Sequence, residues 1–169
     1  ILSEQDNDIE RAGKAILTTD LVPKIIFRTL KNGAILLALC KGSGMIAPDM
    51  ATMLSFVMTD AKIDVQNMSE KWREVCDDSF NQVSVDNCES TSDMSFLLSS
   101  QKIETEEKEF WNALSEITQE LAQKIAADGE GATHLIEVEV QNAQTKKEAQ
   151  ILAKSVVTSD LLKAAVAGH

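Results

Sequence analysis

Apolar residues recur along this chain at two periods, and each period predicts an element. Ile9, Ala12 and Ile16 fall three and four apart, which places them on one face of a helix over 8–17. Thr18-Thr19-Asp20 is a polar break. Pro23-Lys24 then opens an apolar stretch from Ile25 to Leu30, and a second runs from Ala34 to Cys40. Between them lies Lys31-Asn32-Gly33. Asn-Gly readily takes the positive φ of a tight turn, so the two stretches predict a hairpin. A loop over 42–51 leads to a buried strand from Thr52 to Met58.

Ser69 is placed to cap a helix whose apolar face is Trp72, Val75, Cys76 and Phe80. A short strand, Gln82 to Val85, precedes a polar loop from Asp86 to Asp93, and Met94 to Leu98 is apolar again. The clearest periodicity is Phe110, Leu114, Ile117, Leu121 and Ile125, one stripe of a helix from Glu106 to Ala127. Thr105 caps it and Gly129 ends it. Ile136, Val138 and Val140 alternate with Glu137 and Glu139, predicting a strand over Thr133–Val140. Thr145-Lys146-Lys147-Glu148 is a capping box that opens another helix, and Ser159 starts a last one ended by Gly168. The hairpin makes the sheet at least partly antiparallel, so the fold class is α+β, with layers of sheet and helix.

Composition narrows what such a fold does. The 169 residues make one domain-sized unit, 44% apolar and 25% charged, which is a folded and not a disordered composition. A net charge of −11 with scattered Lys and Arg excludes a nucleic-acid surface. No apolar run approaches the roughly 18 residues of a membrane span. Cys40, Cys76 and Cys88 are widely spaced without CxxC, as reduced intracellular thiols are. With only His134 and His169, neither a histidine metal site nor a resident cofactor is expected. Ile1 is not a natural start and the chain stops abruptly at His169, so a piece of a longer protein is expected.

Four places carry candidate chemistry. Gly42-Ser43-Gly44-Met45-Ile46-Ala47 matches a loose GxGxxA, but a dinucleotide fingerprint needs a helix to begin there. Pro48, Asp49 and a strand follow instead. Thr52 comes after the small residue Ala51, at a loop-to-strand junction. Its hydroxyl can attack the Ala51 carbonyl, and hydrolysis of the ester would free a Thr52 α-amine of pKa about 7.7–8.0, near enough to neutrality to act as a general base. Lys41 is the only cation between Gly33 and Thr52 and could bind a carboxylate or an amide oxygen. Glu130 sits between Gly129 and Gly131, where a ligand could approach closely. From spacing alone, an ordinary strand start, a solvated strand end and a helix-to-strand turn account for the same residues.

Fourteen consecutive residues raise the chemical reading. Lys41-Gly42-Ser43-Gly44-Met45-Ile46-Ala47-Pro48-Asp49-Met50-Ala51-Thr52-Met53-Leu54 closely resembles the cleavage segment of the glutamate N-acetyltransferase family, the ornithine acetyltransferases or bifunctional arginine-biosynthesis proteins. Ile16-Leu17-Thr18-Thr19-Asp20, Phe80-Asn81 with Ser90-Thr91-Ser92-Asp93, and Gly129-Glu130-Gly131-Ala132-Thr133 resemble the same family in the same order. The resemblance implies a layered sandwich of the N-terminal-nucleophile ornithine acetyltransferase and aminopeptidase type. It implies self-cleavage between Ala51 and Thr52, so that 1–51 ends an α-chain and 52–169 starts a β-chain. The two are expected to remain associated, as a heterotetramer of two of each in the cytoplasm.

By the same resemblance Thr52 takes acetyl from N-acetylornithine and passes it to glutamate, and some members also accept acetyl-CoA. Substrate contacts are implied at Thr19, Lys41, Thr52 and Glu130, with Thr18 the neighbouring alternative to Thr19. The family's Thr-Gly oxyanion pair and an asparagine contact are expected outside this sequence, so the piece alone is expected to be inactive. A self-cleaving aminopeptidase or amidohydrolase of the same fold, and a non-catalytic module, are the competing readings.

Overall fold

The structure is a computed structural model that describes residues 8–46, 53–64, 66–88 and 93–168. Ala51 and Thr52, and with them the expected cleavage point, lie outside the described residues. Helix α1 (Ile9–Ala15) is capped by Asp8, whose side chain accepts from the Glu10 and Arg11 N–H groups. Strands β1 (Lys24–Thr29) and β2 (Ile35–Lys41) form the expected antiparallel hairpin. Gly33 turns it with φ +87°, and the Asn32 carboxamide oxygen takes the Ala34 N–H. Strand β3 (Leu54–Lys62) pairs antiparallel with β2, and β4 (Met94–Glu104) pairs parallel with β3. The order is β1-β2-β3-β4.

Parallel pairing of β3 and β4 requires a crossover. It is supplied by α2 (Met68–Asp77) and a 3₁₀ turn at Phe80–Gln82. The long helix α3 (Glu107–Ala127) follows β4, then α4 (Lys146–Val157) and α5 (Asp160–Gly168). The Thr145 hydroxyl accepts the Glu148 N–H at 3.1 Å, and the Glu148 carboxylate reaches back to the Gln144 N–H at 2.8 Å.

The stripe read from α3 is the core. Phe110, Leu114, Ile117, Leu121 and Ile125 are buried, together with Leu36, Ala38 and Cys40 of β2 and Val57 and Ala61 of β3. The opposite face of the sheet is largely open. There Phe27 is 60% exposed, Leu98 is exposed, and Phe56 stacks on Phe96 with ring centroids 5.4 Å apart. Helix α1 packs at the corner by Ile25, through Gly13, whose missing Cβ would meet the Ile25 side chain at 2.7 Å.

Four local expectations are corrected. The stretch Gln82 to Val85 is not a strand, because Phe80–Gln82 is taken into the 3₁₀ turn, with Phe80 and Val83 in the core. Thr133–Val140 forms no strand: its alternating pattern lies mostly exposed beside α3 and α4, with no ladder partner among the described residues. Asn67, not Ser69, stands at the start of α2, and Glu106, not Thr105, at that of α3. The Thr105 hydroxyl instead donates to the Ile103 carbonyl. Cys40 and Cys76 are buried thiols, pushed up to about 12 and about 11 by loss of water, and Cys88 is exposed.

Candidate functional site

The polar residues singled out in the sequence converge on one end of the sheet. The break after α1 contributes Thr18 to Asp20, the end of β2 contributes Lys41, and the turn after α3 contributes Asp128 to Gly131. Sequence reasoning did not find what binds these segments together, which is Lys24. Its side chain is fully buried, and Nζ lies 2.7 Å from Asp20 Oδ1 and 2.6 Å from Asp128 Oδ2. Asp20 also accepts the Gly42 N–H at 2.7 Å and the Thr18 N–H at 3.4 Å. Asp128 accepts the N–H groups of Leu21 at 3.1 Å and Val22 at 3.5 Å. One ammonium and two carboxylates thus fix three segments distant in sequence. Burial pushes the Asp20 carboxyl up, but Lys24 and the two N–H donors outweigh it and hold the group below its ordinary range. The signal available in the sequence was a lysine opening an apolar strand, a position that demands a partner once buried.

The glycine-rich loop is explained by the same packing. The Ser43 hydroxyl donates to the Asp128 carbonyl at 2.7 Å, and the Ser43 carbonyl accepts the Glu130 N–H at 3.0 Å. The Glu130 carboxylate lies directly against Gly44, where a Cβ would collide with it. Gly42 faces Ile46 and Ile125 at distances that leave a side chain little room. Asp86 anchors the far side of the loop, taking the N–H groups of Met45 at 2.5 Å and Ile46 at 3.0 Å. The described part of the loop, 42–46, is therefore built to approach protein, with no helix start within it that would cradle a phosphate.

Lys41 is the unusual member. It is 7% exposed, and its ammonium makes one long hydrogen bond, to the Thr18 hydroxyl at 3.4 Å. No carboxylate among the described residues pairs with it. Register sets Lys41 opposite Leu54, two residues past Thr52. The Met53 N–H, the first described group after Thr52, donates to Asp93 Oδ1 at 2.6 Å. Of the implied contacts, Lys41 and Glu130 lie in this cluster. Both threonines are exposed, and the hydroxyl that accepts from Lys41 is that of Thr18, not Thr19. Among the described residues no group of three or more His, Cys, Asp or Glu could hold a metal, and no helix is long and apolar enough to cross a membrane.

Fold and site together define an α+β protein in which helices layer one face of a mixed sheet and a polar cluster gathers around a buried lysine at the sheet's end. The model of the ArgJ family matches residues 2–169. The chain is 44% identical to the arginine biosynthesis bifunctional protein ArgJ 1 of Clostridium acetobutylicum, over 96% of this chain and 42% of that protein. It is 45% identical to ArgJ 2 of Nostoc sp., over 95% of this chain and 42% of that protein. The crystal structure of the arginine biosynthesis bifunctional protein ArgJ of Bacillus halodurans superposes with a TM-score of 0.64 at 41% identity, covering 69% of this chain and 59% of that one. This chain belongs to the ArgJ family. It spans less than half the length of these curated relatives.

Proposed function

We propose that the protein is an acetyltransferase of arginine biosynthesis that moves acetyl from N-acetylornithine to glutamate through an acetyl-threonine at Thr52. The observation that carries this reading is Lys41, a buried cation that no carboxylate among the described residues pairs with, set in register opposite Leu54, two positions after Thr52 in the sequence. A buried charge left in that state calls for an anion or a strong dipole from a ligand. Amino-acid substrates bring both, as an α-carboxylate and an acetyl carbonyl. Membership of the ArgJ family supports the same chemistry.

In this reading the Thr52 hydroxyl first attacks the Ala51 carbonyl, the ester is hydrolysed, and a free α-amine remains. That amine takes the proton of the Thr52 hydroxyl as it attacks the acetyl carbonyl of N-acetylornithine. Ornithine leaves, and the amine of glutamate then attacks the acetyl-threonine to give N-acetylglutamate. Lys41, with the Thr18–Thr19 segment, holds the carboxylate or carbonyl end. Glu130 presents a carboxylate suited to an ammonium. Acetyl-CoA is a second acetyl donor, and the reaction uses no resident cofactor or metal. The α-chain and β-chain work as a cytoplasmic heterotetramer of two of each.

Intact mass of the full-length protein tests the reading. Two chains are expected, the second starting at Thr52 and gaining one acetyl group on incubation with N-acetylornithine. Thr52→Ala should give one uncut chain. Acetate release without N-acetylglutamate would assign the site to a hydrolase. An uncut wild-type chain would exclude both.

A further inference from the structure

Helix α5 carries no buried residue among those described, and neither does α4 before it. Burial of apolar surface therefore does little to seat α5, and polar contacts have to place it. Lys163, near the middle of the helix, makes three of them. Its ammonium donates to the Val85 carbonyl at 2.8 Å, and to the carbonyl and the hydroxyl of Ser84, each at 3.3 Å. A lysine ammonium has three N–H groups to give, and here the acceptors all belong to two adjacent residues. Partial burial pushes the Lys163 ammonium down, while Asp160 on its own helix and Asp86, next in sequence to Val85, act the other way.

The segment that Lys163 grips touches the candidate site on two sides. On one, the Val85 N–H donates to the Ile46 carbonyl at 2.8 Å, and the Asp86 carboxylate takes the N–H groups of Met45 and Ile46. The segment is thereby laced to the glycine-rich loop that follows Lys41. On the other, the Val85 methyls lie against Gly129, where an added Cβ would come within 2.9 Å of them. Gly129 immediately precedes Glu130, and Lys163, Ser84, Val85 and Glu130 line one cavity of about 200 Å³. Close-packed groups transmit a displacement instead of absorbing it, so a shift of Ser84 and Val85 is passed to the Glu130 turn.

We propose that Lys163 is a positioning residue of the acetyl-transfer site: it clamps Ser84 and Val85 from α5, and Val85 in turn holds the turn that presents the Glu130 carboxylate. The inference deepens the functional reading above and rests on it. Lys163 exchanges no proton or atom with substrate. Its contribution falls on the substrate that brings a side-chain ammonium, N-acetylornithine, since that is the group a carboxylate at Glu130 suits. Lost positioning of a binding group appears in KM and not in the chemical step.

The test uses the full-length protein, with steady-state kinetics and amide hydrogen exchange side by side. Lys163→Met keeps the stem and removes the three donors. It should raise KM for N-acetylornithine at least about fivefold while kcat stays within about twofold. Lys163→Arg keeps a charge and N–H donors at the same place and should restore most of the lost affinity. Exchange in Lys163→Met should quicken at the Val85, Ile46 and Glu130 amides and leave the core of α3 protected. Val85→Ala keeps the backbone bonds and removes only the methyls against Gly129. It should raise the same KM about threefold, and it decides the matter if Lys163→Met does not fold. A wild-type KM in both variants overturns the proposal. So does exchange in Lys163→Met that is unchanged at the three amides, or that quickens equally through α3, which would make Lys163 a general stabiliser. A wild-type enzyme that does not convert N-acetylornithine sinks the functional reading itself, and the exchange pattern reports the clamp separately.

Discussion

Lys41 is a cation that water barely reaches and that no carboxylate of the described residues neutralises. Charge-assisted hydrogen bonds are worth about 1.5–3 kcal/mol. Lys41→Met should therefore lower kcat/KM at least about tenfold for N-acetylornithine and for glutamate. Cleavage should persist, because in the proposed reaction its attacking group is the Thr52 hydroxyl. Steady-state kinetics with each substrate varied in turn check this; unchanged values for both would reduce Lys41 to a strand terminus. The same assay separates the two threonines. Thr18 contacts the Lys41 ammonium and Thr19 does not, so Thr18→Ala should raise KM more than Thr19→Ala.

At the scale of elements, the Lys24 triad decides whether the site forms. It ties the segment after α1, the end of β2 and the turn after α3 through buried charges. Removing the lysine strands two carboxylates, and breaking a buried pair costs about 3–5 kcal/mol. Lys24→Met should lose about that much in urea unfolding at neutral pH. The pH dependence should change as well. In wild type the Asp20 carboxyl is held below its reference value of 3.8. Its stabilising contribution is therefore complete above that value and is lost as pH falls through the lowered one. Without Lys24, burial dominates and the sign reverses, so Lys24→Met should lose less stability than wild type between about pH 7 and pH 3. Gly44→Ala acts at the same junction and should displace Glu130, raising KM with little change in the cut, which paired kinetic and mass measurements would resolve.

For the whole molecule, the expected cut falls between β2 and β3, which are neighbours in the sheet. Residues 1–51 contribute α1, β1 and β2. Alone they bury too little surface to persist. The two products should co-elute on size exclusion in native buffer and separate only in denaturant. Separation without denaturant would mean that the β2–β3 pairing does not hold them. The open sheet face is the second property of this scale. Phe27, Met94, Phe96 and Leu98 are exposed on it. Large apolar patches drive association. The 169-residue chain by itself should bind a hydrophobic dye and elute above its 18.5 kDa monomer.

By itself the sequence determined the elements whose signal is local. The α3 stripe, the Asn32-Gly33 hairpin and the Thr145 capping box each depend on residues within a few positions of one another, and each stands where the pattern put it. Fourteen residues around Thr52 also pointed to the family, because a cleavage segment is read along the chain. Tertiary structure decided everything that depends on partners far apart in sequence. Thr133–Val140 has the alternation of a strand but no strand among the described residues to pair with, and Phe80 left the helix pattern for a 3₁₀ turn that fits the core. Lys24 looks like any lysine at a strand start until Asp20 and Asp128 close on it. Lys41 looks like a solvated end until the fold buries it. Periodicity is a property of the chain, whereas burial of a charge and the choice of its partner belong to the packing, and it was the packing that gathered these residues into one site.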